Sequence, residues 1–410
     1  MRAAIVDASG IGKFLPAALA RYGVEVVHVQ SGSPDIHLPY EPGGFEHDIA
    51  HDGDLAATAA RLRELGVEFV VPGTESGVLL AEALSSALGT PGNGMSRPQA
   101  RRDKHEMAEA VRAAGLATAR SIATGSVDEL VAWAQDLGEW PVVVKPRASA
   151  GTDNVAVCRT PAEVRAAADR VLSSTDRYSA RNDTVLGQEF LHGDEHFVNT
   201  VSRNGVHHLV EVWCYHKRQL DSGALMYDYE EPVSPDDPVV EQLVTYVRAV
   251  LDALEVRNGA GHTEVMLTKE GPVLVEAAGR AGGSHVPAIV SRCLGTDQID
   301  CLARSIARPQ DLLTGALPSY RLLSRLRYVT LINPRSGVAP TGERLERIRS
   351  LDSFLELVLT AQEGAPIGPT VDLATSPGYV YLSSPDVEQV EADYQRLRRW
   401  EEEDLYALGS

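Results

Sequence analysis

The chain has 410 residues, 44% of them hydrophobic, and a formal net charge of −19. That is enough for a large core or about two to three domains, and so acidic a surface argues against nonspecific nucleic-acid binding and for an acidic soluble enzyme. Cys158, Cys214, Cys293 and Cys301 form no C-x-x-C pair and read as reduced core thiols of a cytoplasmic protein; MRAAIVDASG lacks a signal-peptide pattern, and no apolar run reaches the ~18 residues of a membrane span.

Residues 3–7 are a short apolar strand. Gly10 and Gly12 follow, then a helix ending near Gly23 and a second strand over 24–29, a βαβ opening. DASGIG matches half of a dinucleotide fingerprint, but Leu15 stands where the third glycine belongs. Lys13 is no Walker lysine, because the upstream glycine and the following Ser or Thr are missing. A helix over 55–65, a strand over 67–71, the turn Pro72-Gly73 and a helix over 76–88 continue the alternation, which predicts a parallel sheet covered by helices. Glu75 lies just past a strand end, where open α/β sheets bind ligands; a helix N-terminus would favour a carboxylate there as well.

Ser96-Arg97-Pro98-Gln99 is a Ser-x-x-Gln capping box. It predicts a helix to about residue 114 that carries Arg101, Arg102, Asp103 and Lys104, charges that usually form a solvated face. Residues 126–129 and 160–163 cap two further helices, the second with Pro161 at its first position. Between them PVVVKPRASAGTDNVAVC is a strand ending in Lys145, a loop with Ser149, Ala150, Gly151 and Thr152, and a returning strand over 154–158. Small residues let N–H groups approach an anion and hydroxyls add donors, so this loop suits a polyphosphate; a plain hairpin with a flexible loop is the alternative. Residues 185–199, VLGQEFLHGDEHFVN, give a strand, a short linker and a second strand with Glu195 near its start. Gln188 or Glu189 could bond an adenine edge and Glu195 ribose hydroxyls, or the carboxylates are merely solvated.

His207-His208 and Cys214-x-His216 show no closed four-ligand zinc spacing. Residues 221–238 are polar and proline-rich, predicting a long surface loop of the kind that forms lids or substrate walls, followed by a helix over 239–254. Next comes GHTEVMLTKEGPVLVEAAGRAGG, residues 261–283, a predicted β-hairpin with loop Lys269-Glu270-Gly271 and its glycine in the left-handed position. In that register Val265 faces Val275, Met266 faces Leu274, and Glu264 stands opposite Glu276, sharing a face with His262, Ala278 and, if the strand continues, Arg280. Opposed carboxylates repel by about 3 kcal/mol at an effective dielectric of ~20, more than the ~1 kcal/mol a good cross-strand pair supplies. A divalent cation reverses the sign, and Mg²⁺ commonly uses one or two carboxylates plus phosphates. A one-residue slip would part the pair; the alternative is an exposed edge hairpin with solvated glutamates. Gly282-Gly283 then turn into a helix. Short strands over 327–332 and 378–382 precede a terminal helix with Val387, Val390, Tyr394 and Leu397 on one stripe.

A βαβ opening, a helix lysine, a strand-end lysine with a small-residue loop, a Q-E-F-L-x-G-x-E linker and a Glu…Glu-x-x-x-Arg hairpin occur here in that order. The order resembles the ATP-grasp carboxylate–amine ligases, among them the L-amino-acid ligases and dapdiamide-synthetase-like enzymes. The resemblance runs over essentially the whole chain, loosely toward its end. It implies an α/β fold, α+β in part: a Rossmann-like domain over 1–95, linker helices and a small lid subdomain with a glycine-rich loop over 96–186, a catalytic subdomain over 187–305, and a C-terminal mixed α+β extension over 306–410. It also implies residue roles. Lys104 and Lys145 are the ATP lysines, and Ser149, Gly151 and Thr152 the phosphate loop. Gln188, Glu189 and Leu191 meet adenine and Glu195 meets ribose. Glu264 and Glu276 are the metal carboxylates, and Arg280 holds the reacting carboxylate and phosphate. Glu75, Gly282, Gly283, Ser284 and His285 fall to the substrate, and His216 and His262 are candidate catalytic histidines.

The implied reaction joins an amino acid, or related carboxylate, to an amino acid through an acyl phosphate, giving ADP and phosphate in peptide natural-product biosynthesis. ATP and Mg²⁺ (Mn²⁺ possible) are the implied cofactors. The implied partners are small-molecule carboxylate and amine substrates, with a homodimer as a possible assembly. One departure stands out. The family usually has Glu-x-Asn at the second carboxylate, and here Ala278 occupies the asparagine position with His262 opposite. The metal count is thereby left open, and a non-catalytic nucleotide- or metabolite-binding protein is the alternative.

Overall fold

The computed structural model describes residues 1–33, 45–148, 154–175, 181–220, 225–283 and 285–407; Ser149, Gly151, Thr152 and Ser284 lie outside the described residues. The chain forms two compact units. The first gathers Met1–Glu211, Pro238–Ala288 and Thr296–Ser319, and the second Val212–Asp237, Ile289–Gly295 and Tyr320–Ser410.

The first unit opens with four parallel strands, β1 (Arg2–Val6), β2 (Glu25–Gln30), β3 (His47–Ala50) and β4 (Val67–Pro72), in the order β3-β2-β1-β4. Both faces are apolar, as a parallel sheet between helices requires. Ala4 and Val6 pack with Leu62 and Leu84 on one side, and Ala3 and Ile5 with Leu15 and Leu19 on the other. Fully burying one such leucine contributes about 1.5–3 kcal/mol. The strand order reverses at β1 and β4, and ligands of open α/β sheets bind outside the carboxyl ends at such a point. The backbone is close-packed there: a Cβ on Gly73 would lie 2.3 Å from the Asp7 carbonyl oxygen, and one on Gly12 would lie 2.6 Å from Gly73.

A second sheet has strands β5 (Ser121–Thr124), β6 (Val142–Pro146), β7 (Ala156–Cys158) and β8 (Val185–Glu189), antiparallel in the order β5-β8-β6-β7. Leu130, Ala134, Val164 and Ala168 of two helices cover it. Ser126 and Thr160 cap those helices as predicted. The predicted cap at Ser96 does not form, because its hydroxyl donates to Glu255 at 2.7 Å. Pro98–Arg101 is instead a 3-10 turn, and the helix is Lys104–Ala113, capped by the Asp103 carboxylate. Aspartate is as good a cap as serine and adds a charge that suits the helix N-terminus.

Strands β9 (Asp194–Arg203), β10 (Val206–Gln219), β11 (Leu225–Pro232), β12 (Gly259–Thr268) and β13 (Gly271–Ala278) follow. In the first unit the order is β13-β12-β9, then β10 as far as Glu211. In the second unit the rest of β10 is followed by β11 and by strands Arg325–Thr330, Gly378–Ser384 and Phe354–Leu359. The helix Val387–Glu403 lays Val390, Tyr394 and Leu397 on Val329, Val380 and Leu382. The predicted loop over 221–238 is corrected: β11 occupies most of its described part. Alternate residues Met226, Asp228, Glu230 and Pro232 are buried, and Asp228 finds partners in Arg398 and, at 2.7 Å, the Tyr394 hydroxyl. Among the described residues no helix is long and apolar enough to cross a membrane.

Candidate active site

The hairpin of β12 and β13 closes with Thr268 opposite Gly271, so its loop is Lys269-Glu270, one residue shorter than predicted. Gly271, at φ +125°, belongs to the strand. Val265 then faces Leu274, the register shifts after Glu264, and Glu264 stands across from Glu276 with His262 across from Ala278. The shorter loop and the shift cancel, so the predicted carboxylate pairing holds above the bulge. On its other edge β12 pairs with β9, placing His262 opposite Asn199, Glu264 opposite Phe197, and Met266 opposite Glu195. Side chains alternate along strands, so Glu276, Glu264, His262, Asn199 and Glu195 share one face of three strands.

Two lysines meet this face. Lys104, at the first position of its helix, places Nζ 2.9 Å from Glu276 Oε1. Lys145, near the end of β6, is 6% exposed. Burial and the charge of Lys104 depress its pKa to about 8, against the pull of Glu276, Glu264 and Glu195. Gln188 is buried on β8 opposite Val143, and Leu191 lies in the linker from β8 to β9. The Glu189 carboxylate accepts from the Arg120 backbone N–H at 2.9 Å and pairs with its guanidinium.

Arg280 lies just past β13. Its Nε donates to Glu75 Oε2 at 2.7 Å and its Nη1 to the Ala281 carbonyl at 2.8 Å. Arg102 flanks the same carboxylate at 3.4 Å. Burial alone would raise the pKa of Glu75, but Arg280 and Arg102, with Lys104 behind them, outweigh it and hold the carboxyl below its usual range. Two residues picked from distant stretches of sequence thus meet at the reversal point of the parallel sheet.

His262 is held from below. Glu211, 3% exposed, accepts from the Asn199 amide at 2.7 Å, and Asn199 Oδ1 lies 2.8 Å from His262 Nδ1. His262 Nε2 stands 3.6 Å from Glu264. Gly282 covers this chain of bonds and donates its N–H to Gln298 at 2.8 Å; a Cβ on Gly282 would lie 2.9 Å from His262 Nδ1, whereas one on Gly283 would meet nothing within 4 Å. His285 is buried beside the Phe197 ring. His216 belongs to the second unit, where it pairs with Glu231 at 3.1 Å and stacks on Tyr229. His207 and His208 are engaged by Ser202, Asp252 and the Pro318 carbonyl. Sequence reasoning missed Asn199, Glu211 and Gln298. Asn199 was within reach, since it shares strand parity with Glu195.

Among the described residues no group of three or more His, Cys, Asp or Glu side chains is placed to hold a metal ion. Glu264 and Glu276 supply two hard carboxylates, and two carboxylates completed by phosphate oxygens and water suit Mg²⁺. The ion pair of Glu276 with Lys104 shows the demand of this face for positive charge.

A family model described as an ATP-grasp domain matches residues 138–288. Dapdiamide A synthase of Enterobacter agglomerans is 31% identical over 96% of this chain and 96% of its own length. The L-arginine-specific L-amino acid ligase of Bacillus subtilis is 23% identical over 72% of this chain and 70% of its own. Among solved structures, an L-amino acid ligase from Bacillus licheniformis superposes with a TM-score of 0.74 over 97% of each chain at 19% identity, a likeness of fold.

Proposed function

Because the chain belongs to the ATP-grasp carboxylate–amine ligases and is an ATP-dependent, amide-forming enzyme, we propose that it joins an amino acid, or a related carboxylate, to the amine of a second amino acid through an acyl phosphate, in peptide natural-product biosynthesis. The opposition of Glu264 and Glu276 beside Lys104 and Lys145 carries this function. A substrate carboxylate oxygen attacks the γ-phosphorus of ATP, forming a C–O–P linkage and releasing ADP. The amine then attacks the acyl carbon, forming the amide and expelling phosphate. Such chemistry needs little side-chain nucleophilicity; positioning and charge neutralisation do most of it.

Lys104 and Lys145 hold the phosphates. Gln188, Glu189 and Leu191 bound the adenine and Glu195 takes ribose hydroxyls. Mg²⁺, with Mn²⁺ as a substitute, would be held by Glu264 and Glu276 and would neutralise charge on the phosphates. Arg280, oriented by Glu75, offers N–H groups to the reacting carboxylate and phosphoryl oxygens. His262, tied to Asn199, steadies Glu264, while Gly283 and His285 face the substrate side. A non-catalytic nucleotide binder is the weaker alternative, since the named relatives are a synthase and ligases.

Incubation with ATP, Mg²⁺, single amino acids and hydroxylamine should yield a hydroxamate matched by ADP. AMP and pyrophosphate in equal amounts would overturn the acyl phosphate. A pairwise amino-acid screen for phosphate release would then identify the two substrates.

A further inference from the structure

Arg101-Arg102-Asp103-Lys104 looks in sequence like a solvated helix face, yet each of its side chains engages a different part of the first unit. Arg101, 1% exposed, binds Glu82 and, at 2.7 Å, the Leu254 and Gly94 carbonyls. Arg102 pairs with the Glu75 carboxylate and also donates to the Glu75 carbonyl. Asp103 Oδ1 accepts from the N–H groups of His105 and Glu106, and its Oδ2 lies 2.8 Å from the Arg147 guanidinium. Lys104 reaches Glu276, and its backbone N–H donates to the Arg147 carbonyl at 3.0 Å.

Arg147 follows Lys145 by two residues, just beyond β6. Lys104 and Lys145 carry like charges close enough for the first to depress the pKa of the second. Left to themselves they would push the end of β6 and the start of the helix apart. The Asp103–Arg147 ion pair and the Lys104–Arg147 backbone bond span that gap. On the other side of the same turn, Arg102 holds Glu75 from two directions, and Glu75 fixes the Nε edge of Arg280.

We propose that Asp103 and Arg102 are positioning residues that serve the two halves of the reaction separately: Asp103, through Arg147, keeps Lys104 and Lys145 together for the nucleotide phosphates, and Arg102, through Glu75, orients Arg280 for the substrate carboxylate. This assignment rests on the roles proposed above for the two lysines and Arg280. Adjacent residues of one turn thereby govern different substrates.

The test is steady-state kinetics on the full-length enzyme, with ATP, Mg²⁺, hydroxylamine and the amino acid that gives the strongest hydroxamate signal, alongside thermal unfolding. Asparagine caps a helix as well as aspartate does, so Asp103→Asn removes the ion pair and keeps the cap. It should raise KM for ATP at least about tenfold and leave KM for the amino acid within about twofold. Arg102→Gln should do the reverse, and Arg102→Lys, which keeps the charge but not the fork, should recover part of the loss. Should Asp103→Asn not fold, Arg147→Gln removes the same ion pair with the cap untouched and carries the same expectation. If both KM values move together, or neither moves while the melting temperature falls, the residues are merely structural and the inference is overturned. A wild-type enzyme that makes no hydroxamate with any amino acid would overturn the functional proposal first; turnover without the split overturns only this inference.

Discussion

Glu264 faces Glu276 because Val275 is an extra residue in its strand. The hairpin loop sets Thr268 against Gly271 and Val265 against Leu274. Continued unbroken, that register would bring Glu264 opposite Val275 and part the carboxylates. The bulge restores the pairing, in keeping with the habit of bulges to re-aim side chains beside active sites. Lys104, 2.9 Å from Glu276, offsets part of a repulsion of about 3 kcal/mol at an effective dielectric of ~20.

Glu276→Gln should remove most activity while the protein stays folded. The amide keeps the size of the side chain but loses its charge, so nucleotide phosphates have one carboxylate fewer to share a cation with. A fall in kcat of at least about 100-fold is expected, with a stability change within about 1 kcal/mol, because the lost Lys104 pair and the relieved Glu264 repulsion oppose each other. Hydroxamate formation and chemical denaturation measure the two. Full turnover by this variant, or by the wild type in EDTA, would remove the metal from Glu264 and Glu276.

The alternation of strand and helix made the parallel sheet legible, and the β12–β13 pattern made the carboxylate pair legible. Where sequence reading departed from the structure, a partner distant in the chain decides. Ser96 has a good cap pattern, but Glu255 takes its hydroxyl. Asp103 was visible only as one charge among four, because Arg147 lies 44 residues away in the sequence numbering. The strand β11 looked like a loop because its buried Asp228 depends on Arg398 and Tyr394. The hairpin bulge has no residue signature of its own; Val275 is a β-branched residue of the kind that unbroken strands favour.

Gly282→Ala should be costly to stability and Gly283→Ala nearly neutral to it. A Cβ at Gly282 would come within 2.9 Å of His262 Nδ1 and 3.1 Å of Asn199 Oδ1, while the space around Gly283 is open to 4 Å. Both contacts belong to side chains locked in hydrogen bonds, so relief requires breaking the Glu211–Asn199–His262 chain. A loss of about 1–3 kcal/mol is expected for the first variant and well under about 1 kcal/mol for the second. Equal melting temperatures would show that the hydrogen-bonded chain yields without cost.

Lys145→Ala should weaken ATP binding far more than Lys13→Ala. Lys13 is exposed and lies over the Phe14 ring, whereas Lys145 is buried among the charged groups of the site. Calorimetric titration of ATP into both variants decides it, and equal losses would mean the nucleotide sits elsewhere.

The pH dependence of ATP binding should report Lys145 directly. Burial, with Lys104 nearby, lowers its pKa to about 8, while Glu276, Glu264 and Glu195 pull the other way. An unfolded chain keeps the lysine charged up to its ordinary value of 10.5. Between those two values the unfolded state therefore binds more protons than the folded one, so this group's contribution to stability rises with pH, by up to about 3 kcal/mol. Below about pH 8 the charged lysine is present in both states and its burial counts fully against folding. Nucleotide binding runs the opposite way. Phosphate oxygens favour the ammonium, so above about pH 8 ATP must draw a proton onto Lys145, and affinity should fall by up to about tenfold per pH unit. Lys145→Arg keeps its charge throughout this range and should flatten the slope even if it binds ATP less well. Titrations of ATP from pH 7 to pH 9.5, repeated in buffers of different ionisation enthalpy, measure both the slope and the proton uptake. A slope that survives in Lys145→Arg would assign the titration to another group and leave Lys145 without a part in holding the phosphates.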